Sequence, residues 1–509
     1  MRSSVLLLGA LILAPFLGRS AEAPVVPDTS DAKIAPGLEK SIVKIFVTSR
    51  GPEVYKPWTK GAPKDTTASG VVIDGKLILT TARAVEYSNE IEIQANQSGD
   101  KLPATIALFN RAMNLAVLRL DDDSFFDTHP AVPIEQGLPS IKDPILVYGF
   151  PVGGSSLSIT KGIISRIEFS GSGGPDFEFR IQIDAAINEG NSGGPAVAGG
   201  KIVGLALGHL NNAENIGYII PNEEIILFLR DLQAGKPKRD PAFYDFWQTL
   251  ENGDLRKSLG LTKDVEGIVI QDVADKDPSY PLRPWDVIEK VGTYPVDDQG
   301  MVHVGALRLD FRYAVRKEAK DGHIPMVVVR QGKTLTIDVP LGFRHMLVPG
   351  VEGFYPPYFI LGPIAFTRAT QAFAVGILES KNRLGSMTWD RSPIIERRGD
   401  TAAFPDEELV VVPSPFFPNK LAVGYKPPSQ LTVATVNGIP VKNLEHLVEI
   451  LRDAKTDYIT FRFAERYKEA LVFSRADLVA STDSILADNG IRSQGSPELM
   501  NIWNSKPSQ

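Results

Sequence analysis

Short apolar runs separated by turn signals dominate the first 230 residues of the chain. Residues 41–49 alternate apolar and polar side chains at period two, the pattern of a half-buried strand. The runs 71–73 and 77–79 flank Asp74-Gly75, a pair that favours a type I′ turn, and so predict a β-hairpin. Further strand-like runs occur at 90–94, 104–109, 115–120, 145–148, 158–166, 177–183, 201–207 and 215–220, and a helical run follows at 223–232. So many short strands predict two β-barrel lobes.

The pattern changes to α+β after residue 243. Strands and helices then occur in two groups, and an aromatic- and proline-rich stretch at 354–359, expected to be packing material, separates them. Residues 486–509 lack a comparable pattern, so we predict a partly disordered tail there. In the first group a segment at 255–261 precedes an apolar strand at 267–273, and a hairpin follows at 326–330 and 334–339. The second group has strands at 433–436, 458–463 and 469–473 and a helix at 444–453.

Composition places the chain among ordinary soluble globular proteins. Its 509 residues are too many for one core and predict three to four domains, and 43% of them are hydrophobic and 23% charged. A net charge of −7 argues against nucleic acid as a partner. The absence of cysteine excludes disulfides, thiol catalysis and cysteine-based metal sites. We expect no metal or organic cofactor.

The N-terminus has the pattern of a secretory signal. Arg2 is followed by an apolar run at 5–17 and by small residues at 20–23. The run contains Pro15 and is short for a membrane span. We therefore predict a signal peptide at 1–23 and an exported protein, periplasmic or secreted, with an uncleaved membrane anchor as the alternative.

The strongest chemical signal is the sequence Gly-Asn-Ser-Gly-Gly-Pro-Ala at 190–196. A serine between glycines sits on a tight turn that exposes its hydroxyl, which makes Ser192 a candidate nucleophile. The backbone N–H groups of Gly190 and Ser192 can point at one spot, as an oxyanion hole requires. A serine nucleophile also needs a base to remove its proton.

These residues and several flanking motifs resemble the Deg/HtrA family of serine proteases with PDZ domains. The resemblance covers roughly residues 38–490, and its pattern is similar to Deg proteins with one typical and one divergent PDZ domain. It implies a mainly β fold, with a trypsin-like double β-barrel protease domain followed by two α+β PDZ-like domains. The motifs that carry it lie at 149–154, 158–166, 182–195, 214–221, 282–288 and 436–438. The implied division is a signal peptide at 1–23, a linker at 24–37, the protease domain at 38–234, PDZ domains at 243–343 and 350–480, and a C-terminal tail at 481–509.

The resemblance also implies where the rest of a catalytic triad would stand. In the family order His, Asp, Ser, the histidine position carries Arg83 and the aspartate position carries Asn114. Arginine has only donors and a pKa above ~12, so it cannot take a proton from Ser192 near neutral pH. Loss of the aspartate charge costs roughly four orders of magnitude in turnover, and loss of the base costs ~10⁶. Ser192 is the only triad residue that remains.

A few other residues are candidate substitutes for the base. His209, in a segment that lines the cleft of related folds, is the first alternative, although a rim histidine is the simpler interpretation. Lys161 lies inside a strand motif, and Glu86 is placed to pair with Arg83 on one helical turn. Asp184 is interpreted as structural support for the nucleophile loop. Residues 121–123, three successive aspartates, are interpreted as a solvated turn.

The resemblance implies peptide partners. Leu259, Gly260 and Leu261 are candidates for a PDZ loop that holds C-terminal peptides through backbone N–H groups; a PDZ unit used only for assembly is the alternative. A trimer-based homo-oligomer is implied, or a mixed assembly with active relatives. The favoured hypothesis is a pseudoprotease that binds unfolded or extended polypeptide in a chaperone-like or scaffold role. The alternative is an active serine endopeptidase of protein quality control that uses Ser192 with a non-standard base.

Overall fold

The computed structural model describes residues 37–171, 177–209, 216–234, 242–342, 346–350 and 353–506. The predicted signal peptide and all but the last residue of the predicted linker at 24–37 lie outside these ranges. No helix within them is long and apolar enough to cross a membrane.

The first lobe is a closed six-stranded barrel with strand order β1-β2-β3-β6-β5-β4, in which β1 also pairs with β4. All of its neighbouring strands are antiparallel, and the apolar side chains of alternate positions fill its interior. Its elements are the 3₁₀ turn Leu38–Ser41, β1 (Ile42–Ser49), β2 (Lys64–Ile73), β3 (Leu77–Thr80), α1 (Ala82–Val85), β4 (Ser88–Ala95), β5 (Leu102–Asn110), β6 (Leu115–Leu120) and α2 (Phe125–Thr128).

The turn between β2 and β3 is shifted by one residue from the prediction. Ile73 lies opposite Leu77, so three residues form the connection. The residues with positive φ are Gly75 (86°) and Lys76 (58°), whereas a type I′ turn centred on Asp74-Gly75 requires positive φ at those two residues. The predicted hairpin is therefore present with a different turn.

The second lobe is also a closed six-stranded barrel, with strand order β10-β11-β12-β9-β8-β7. The double-barrel prediction is confirmed. One strand, β10, was not predicted because its four residues lack a two-residue alternation and follow the nucleophile motif directly. The elements are β7 (Pro144–Gly149), β8 (Ser158–Gly171), β9 (Phe177–Ile183), β10 (Pro195–Ala198), β11 (Lys201–His209), β12 (Gly217–Pro221) and α3 (Asn222–Ala234).

The first α+β unit is built on a sheet of order β13-β14-β15-β19-β20, with β16 paired to β15 and a separate hairpin of β17 and β18. It packs against the second barrel, because Leu309 and Tyr313 join the core that contains Phe179. Ion pairs join α5 to α3, and Arg316 lies 2.6 Å from the buried Glu224. The elements are β13 (Phe246–Thr249), α4 (Gly253–Ser258), β14 (Ile268–Asp272), β15 (Val287–Val291), β16 (Tyr294–Pro295), β17 (Met301–Val304), β18 (Leu307–Asp310), α5 (Arg312–Glu318), β19 (His323–Arg330) and β20 (Lys333–Pro340).

The second α+β unit has a three-stranded sheet, β21-β22-β23, and a four-stranded sheet, β25-β24-β26-β27. The predicted helix at 444–453 is present with the same bounds. Three helices between 371 and 396 were not predicted. The first of them, α6, is apolar almost throughout and shows no polar face to mark the helical period. The elements are β21 (Tyr358–Leu361), β22 (Ile364–Arg368), α6 (Gln371–Leu378), α7 (Lys381–Trp389), α8 (Pro393–Glu396), β23 (Val410–Val411), the 3₁₀ turn Lys420–Ala422, β24 (Val433–Val436), β25 (Ile439–Pro440), α9 (Leu444–Asp453), β26 (Tyr458–Phe463), β27 (Leu471–Ser474), α10 (Arg475–Asp488) and α11 (Pro497–Trp503).

The predicted tail at 481–509 is folded as far as residue 506. Helix α10 continues to Asp488, and α11 packs on the core of the second unit through Leu499, which is 1% exposed. The backbone N–H of Ile360 donates to Gln494 O at 2.8 Å, and that of Tyr358 donates to Ser496 Oγ at 3.0 Å. The prediction of partial disorder at 486–509 is therefore wrong for the described residues. Helix α11 has only seven residues, about two turns, which is too short a run to establish a helical period from sequence.

A long connection between β1 and β2 joins the first barrel to the second α+β unit. The Tyr55 hydroxyl donates to Phe373 O at 3.0 Å, and the ring of Trp58 lies 5.1 Å from that of Phe417. The Tyr355 hydroxyl donates to the backbone oxygen of Arg50 at 2.6 Å. Aromatic side chains of the stretch at 354–359 therefore serve in packing between these parts.

We expect Leu499→Ala to destabilise the second α+β unit. Removing a buried leucine side chain costs about 2–5 kcal/mol, because apolar burial is lost and a cavity remains. Asn501→Ala, on the exposed side of the same helix, is the matched control and should cost less than about 0.5 kcal/mol. Hydrogen exchange of residues 358–361 and 497–506 measures both. Equal protection in the two variants would contradict the packing of α11.

Candidate active site

The nucleophile loop makes close contacts at two glycines, Gly190 with the segment that follows β7 of the second barrel and Gly193 with the first barrel. Gly190 has φ 95° and Gly193 has φ 85°, a region that favours glycine. A Cβ at Gly190 would clash with the backbone of Phe150, and one at Gly193 would clash with Ser69 O and Thr80 Oγ1. The glycines of the motif are therefore required by both backbone conformation and close approach.

Ser69 on β2 fastens this loop to the first barrel. Its hydroxyl is fully buried, donates to Gly190 O at 2.8 Å and accepts from the N–H of Phe150 at 2.8 Å. Its own N–H donates to Ser192 O at 2.9 Å. Sequence reasoning missed Ser69, because a serine inside a strand gives no signal of its partners 81 to 123 residues away. Ser69 positions both sides of the nucleophile.

The two N–H groups predicted for an oxyanion hole are unengaged. The carbonyl oxygen of Glu189 accepts from the N–H of Val152 at 2.8 Å, which directs this peptide group toward Val152. Within the described ranges, neither the N–H of Gly190 nor that of Ser192 donates to another residue. Free donors at this turn are what stabilisation of an oxyanion requires.

Ser192 is half-buried, and its hydroxyl donates to the carbonyl oxygen of Leu207 at 3.2 Å. That oxygen is the only hydrogen-bond partner of Ser192 Oγ among the residues that the structure describes. A backbone carbonyl oxygen is too weakly basic to take up a proton near neutral pH, so it cannot act as a general base. No described side chain is therefore in hydrogen-bond reach to activate Ser192.

The structure brings Arg83 and Asn114 together beside the nucleophile loop. Asn114 Oδ1 accepts from the backbone N–H of Arg83 at 3.0 Å, and its carbonyl oxygen accepts from that of Ala82 at 3.1 Å. Asn114 has φ 53°, a left-handed conformation that asparagine tolerates. The segment is continuous with Thr80, whose hydroxyl donates to Ser69 O at 2.8 Å. Arg83 and Asn114 therefore occupy one end of the site that Ser69 holds together.

The predicted pairing of Arg83 with Glu86 is wrong. The Glu86 carboxylate lies 3.1 Å from Arg111 Nε, and both side chains are partly buried. Residue 86 already has extended backbone, because α1 ends at Val85, so the helical turn needed for an i, i+3 pair is absent. The Arg83 side chain is exposed and forms no hydrogen bond or ion pair with another residue in the described ranges.

The other candidate bases either contact other parts of the protein or have side chains outside the described part of the chain. Asp184 Oδ1 accepts from the N–H of Ile163 at 2.6 Å, so this carboxylate supports β8 and the predicted support of the nucleophile loop stays a prediction. Lys161 is exposed on β8. Asp123 forms an exposed ion pair with Lys76. His209 ends β11, two residues beyond Leu207, and its side chain lies outside the described part of the chain.

The three residues predicted for a PDZ carboxylate loop are not free to bind one. The N–H groups of Leu259, Gly260 and Leu261 donate to the carbonyl oxygens that end α4, those of Leu255, Lys257 and Arg256, at 3.0–3.1 Å. Leu259 and Leu261 also pack on the cluster of Leu250, Val269, Val287 and Val329. The predicted role fails because this segment is the C-terminus of a helix rather than an open loop.

The open edge of the first α+β unit is β13, the terminal strand of its sheet. Trp247 on this strand packs edge to face on Phe311 at 5.3 Å, next to α5. Just before β13, Asp245 is 5% exposed and accepts from Tyr280 Oη at 2.7 Å. Burial raises the pKa of the Asp245 carboxyl, although hydrogen bonds from Tyr280 and Ala274 oppose the shift. Burial and the adjacent carboxyl raise the pKa of Tyr280 as well.

We expect Ser69→Ala to loosen the nucleophile loop. The substitution leaves Gly190 O and the N–H of Phe150 buried without their partner, and each such group costs about 1–3 kcal/mol. Ser49→Ala is the control, since this hydroxyl makes only a long, exposed contact to Lys64 O. Urea unfolding of the full chain measures the two losses, and equal values would contradict the positioning role of Ser69.

Comparison with known proteins agrees with this arrangement. A family model described as a trypsin-like peptidase domain matches residues 68–205, and one described as a PDZ domain matches residues 352–498. The second match extends beyond the predicted domain end at 480 and includes α10.

Two curated proteins of Arabidopsis thaliana are similar over most of their length. Protease Do-like 2, chloroplastic, is 31% identical over 470 residues, which cover 90% of this chain and 75% of that protein. Putative protease Do-like 3, mitochondrial, is 30% identical over 477 residues, which cover 92% of this chain and 82% of that protein. A solved structure described as HtrA-type protease AlgW with tripeptide matches at 24% identity and a TM-score of 0.46, covering 60% of this chain and 94% of that one.

Proposed function

Because the chain belongs to the Deg/HtrA family of serine proteases with PDZ domains, we propose that it is a non-cleaving member that holds extended polypeptide. The observation that carries the proposal is Arg83, which stands beside Asn114 where a serine protease needs a base and its orienting carboxylate. Arginine stays protonated near neutral pH, so it cannot accept the Ser192 proton. An amide at Asn114 cannot stabilise a charged base either.

The loss of rate expected from these two residues is large. Removal of the base from a serine triad lowers turnover by ~10⁶, and the losses do not add because the triad acts as a unit. A residual enhancement of ~10³–10⁴ over water can come from binding and the oxyanion hole. Binding is therefore the property that we expect this site to retain.

Two strand edges support the binding of extended polypeptide. Strand β10 pairs with β11 only as far as Leu205, so no described strand pairs with that edge of β11 at Gly208 and His209. This edge lies just beyond Leu207, which contacts Ser192. A bound segment can add there as a further strand, through backbone hydrogen bonds that do not depend on its sequence. The edge of β13 offers the same mode to C-terminal peptides in the first α+β unit.

Assembly and location complete the proposal. Family resemblance supports a trimer-based homo-oligomer or a mixed assembly in which this chain is a non-catalytic subunit of active relatives. The apolar segment at 5–17 supports export, with a chaperone-like or scaffold role for the exported chain.

An active endopeptidase is the second candidate. The unengaged N–H groups of Gly190 and Ser192 favour it, because they are the donors that hydrolysis would use. An active endopeptidase would need a base, and no described side chain forms a hydrogen bond with Ser192 Oγ.

We expect the double variant Arg83→His/Asn114→Asp to gain proteolytic activity that the parent lacks. The substitutions supply a base and its orienting carboxylate at positions that already touch, as the hydrogen bond from Arg83 N to Asn114 Oδ1 demonstrates. The measurement is release of acid-soluble fragments from a denatured, fluorescently labelled protein. The expected gain is at least about 100-fold over the parent.

Ser192→Ala controls both backgrounds. It should abolish the activity of the double variant and leave the parent unchanged. Cleavage by the parent that Ser192→Ala removes would establish the endopeptidase and overturn the proposal. Light scattering of an aggregating client tests the holding role, which fails if equimolar chain gives no protection.

A further inference from the structure

The first feature is the positive charge of Arg83, which has no ion-pair partner among the residues that the structure describes. A neutral histidine and an ionised aspartate would give these two positions a net charge of about −1 at neutral pH, whereas arginine and asparagine give about +1. The nearest acid in sequence, Glu86, is held by Arg111, so it does not compensate Arg83. Arg83 is exposed and, among the described residues, makes no ion pair. The change of about two charges favours an anionic ligand.

The second feature is the pair of free N–H groups across Ser192. Gly190 and Ser192 donate to no described residue, and the bond from Val152 N to Glu189 O keeps the preceding carbonyl engaged elsewhere. Two N–H groups on one tight turn can together bind one oxygen that carries negative charge. The site therefore combines these two backbone donors with the exposed side chain of Arg83, whose own N–H is held by Asn114.

The mechanism of a serine protease indicates which ligand oxygens would lie at the N–H groups of Gly190 and Ser192 and which would lie at residue 83. In peptide hydrolysis the scissile carbonyl oxygen enters the oxyanion hole, and the leaving nitrogen faces the base that protonates it. In a chain that ends at that carbonyl, the second oxygen of the α-carboxylate takes the place of the nitrogen. It then faces residue 83, and arginine presents N–H donors that match carboxylate geometry.

We propose that the cleft is a receptor for the free α-carboxylate of a polypeptide C-terminus, bound by Gly190 N, Ser192 N and the Arg83 guanidinium. The inference rests on the proposed function, since it requires a cleft that binds polypeptide without cleaving it. It names chain ends, rather than internal segments, as the preferred ligand. The site is separate from the edge of β13, which lies in a different unit.

The test compares two forms of one peptide on the full chain. The probe is a ten-residue peptide of alanine, serine and leucine with an N-terminal fluorophore, made as the C-terminal acid and as the C-terminal amide. Fluorescence anisotropy gives both affinities. The acid should bind the parent at least about tenfold more tightly than the amide, because hydrogen bonds between charged groups are stronger than neutral ones.

Arg83→Gln should bring the acid-to-amide affinity ratio close to one. Arg119→Gln is the matched control, since Arg119 is an exposed arginine on β6 of the same barrel, and it should keep the parent ratio. A version of the acid with benzoylphenylalanine next to its C-terminus should crosslink, on illumination, to residues 177–209 of the parent. This crosslink should disappear in Arg83→Gln.

Four results would overturn the inference. An acid-to-amide ratio that persists in Arg83→Gln would assign carboxylate recognition elsewhere, and crosslinks confined to residues 242–342 would assign it to the first α+β unit. Equal binding of acid and amide by the parent would refute the inference while leaving the proposed function intact. Failure of both peptides to bind would contradict both.

Discussion

The site depends on the buried hydroxyl of Ser69. This single group, on β2 of the first barrel, bonds to Gly190 O and Phe150 N, which belong to the second barrel and its loops. Its backbone N–H holds Ser192 O, and its carbonyl oxygen accepts from Thr80. The nucleophile loop is therefore positioned by the same residue that anchors the segment leading to Arg83.

This constraint separates the scaffold of the site from its chemistry. In the proposed function, a peptide carbonyl would be positioned by the scaffold of the site. This scaffold comprises the glycines at 190 and 193, the two N–H groups without a described acceptor and the contacts of Ser69. In the proposed function, proton transfer would depend on the side chains at positions 83 and 114, and we propose that Arg83 and Asn114 cannot perform it. Because Arg83 and Asn114 are joined by a backbone-to-side-chain hydrogen bond, the site can keep its shape with either chemistry. Loss of proton transfer need not be accompanied by loss of binding.

The sequence was informative where a residue type has one dominant physical cause. The period-two runs predicted the barrel strands, and the helix at 444–453 has the predicted bounds, because amphipathic burial dictates both patterns. Motif spacing predicted Ser192, Arg83 and Asn114, and the structure brings these segments together. The predictions that were wrong or missing concern the partners that side chains and N–H groups find in the folded protein. Glu86 forms an ion pair with Arg111, 25 residues along the chain. The Ser69 hydroxyl donates to Gly190 O in the other barrel. The N–H groups of residues 259–261 donate to carbonyl oxygens at the end of α4. Helix α11 was missed because its packing, rather than its own short pattern, keeps it ordered.

The most direct measurement of the central claim is covalent labelling of Ser192 by a fluorophosphonate, followed by mass spectrometry of the intact chain. The reagent needs both an oxyanion hole and a hydroxyl activated by a base. We expect the mass of the parent chain to stay unchanged, while Arg83→His/Asn114→Asp gains one adduct that maps to Ser192. Labelling of Ser192 in the parent at the rate of the double variant would contradict it, because an undetected base would then be activating this serine.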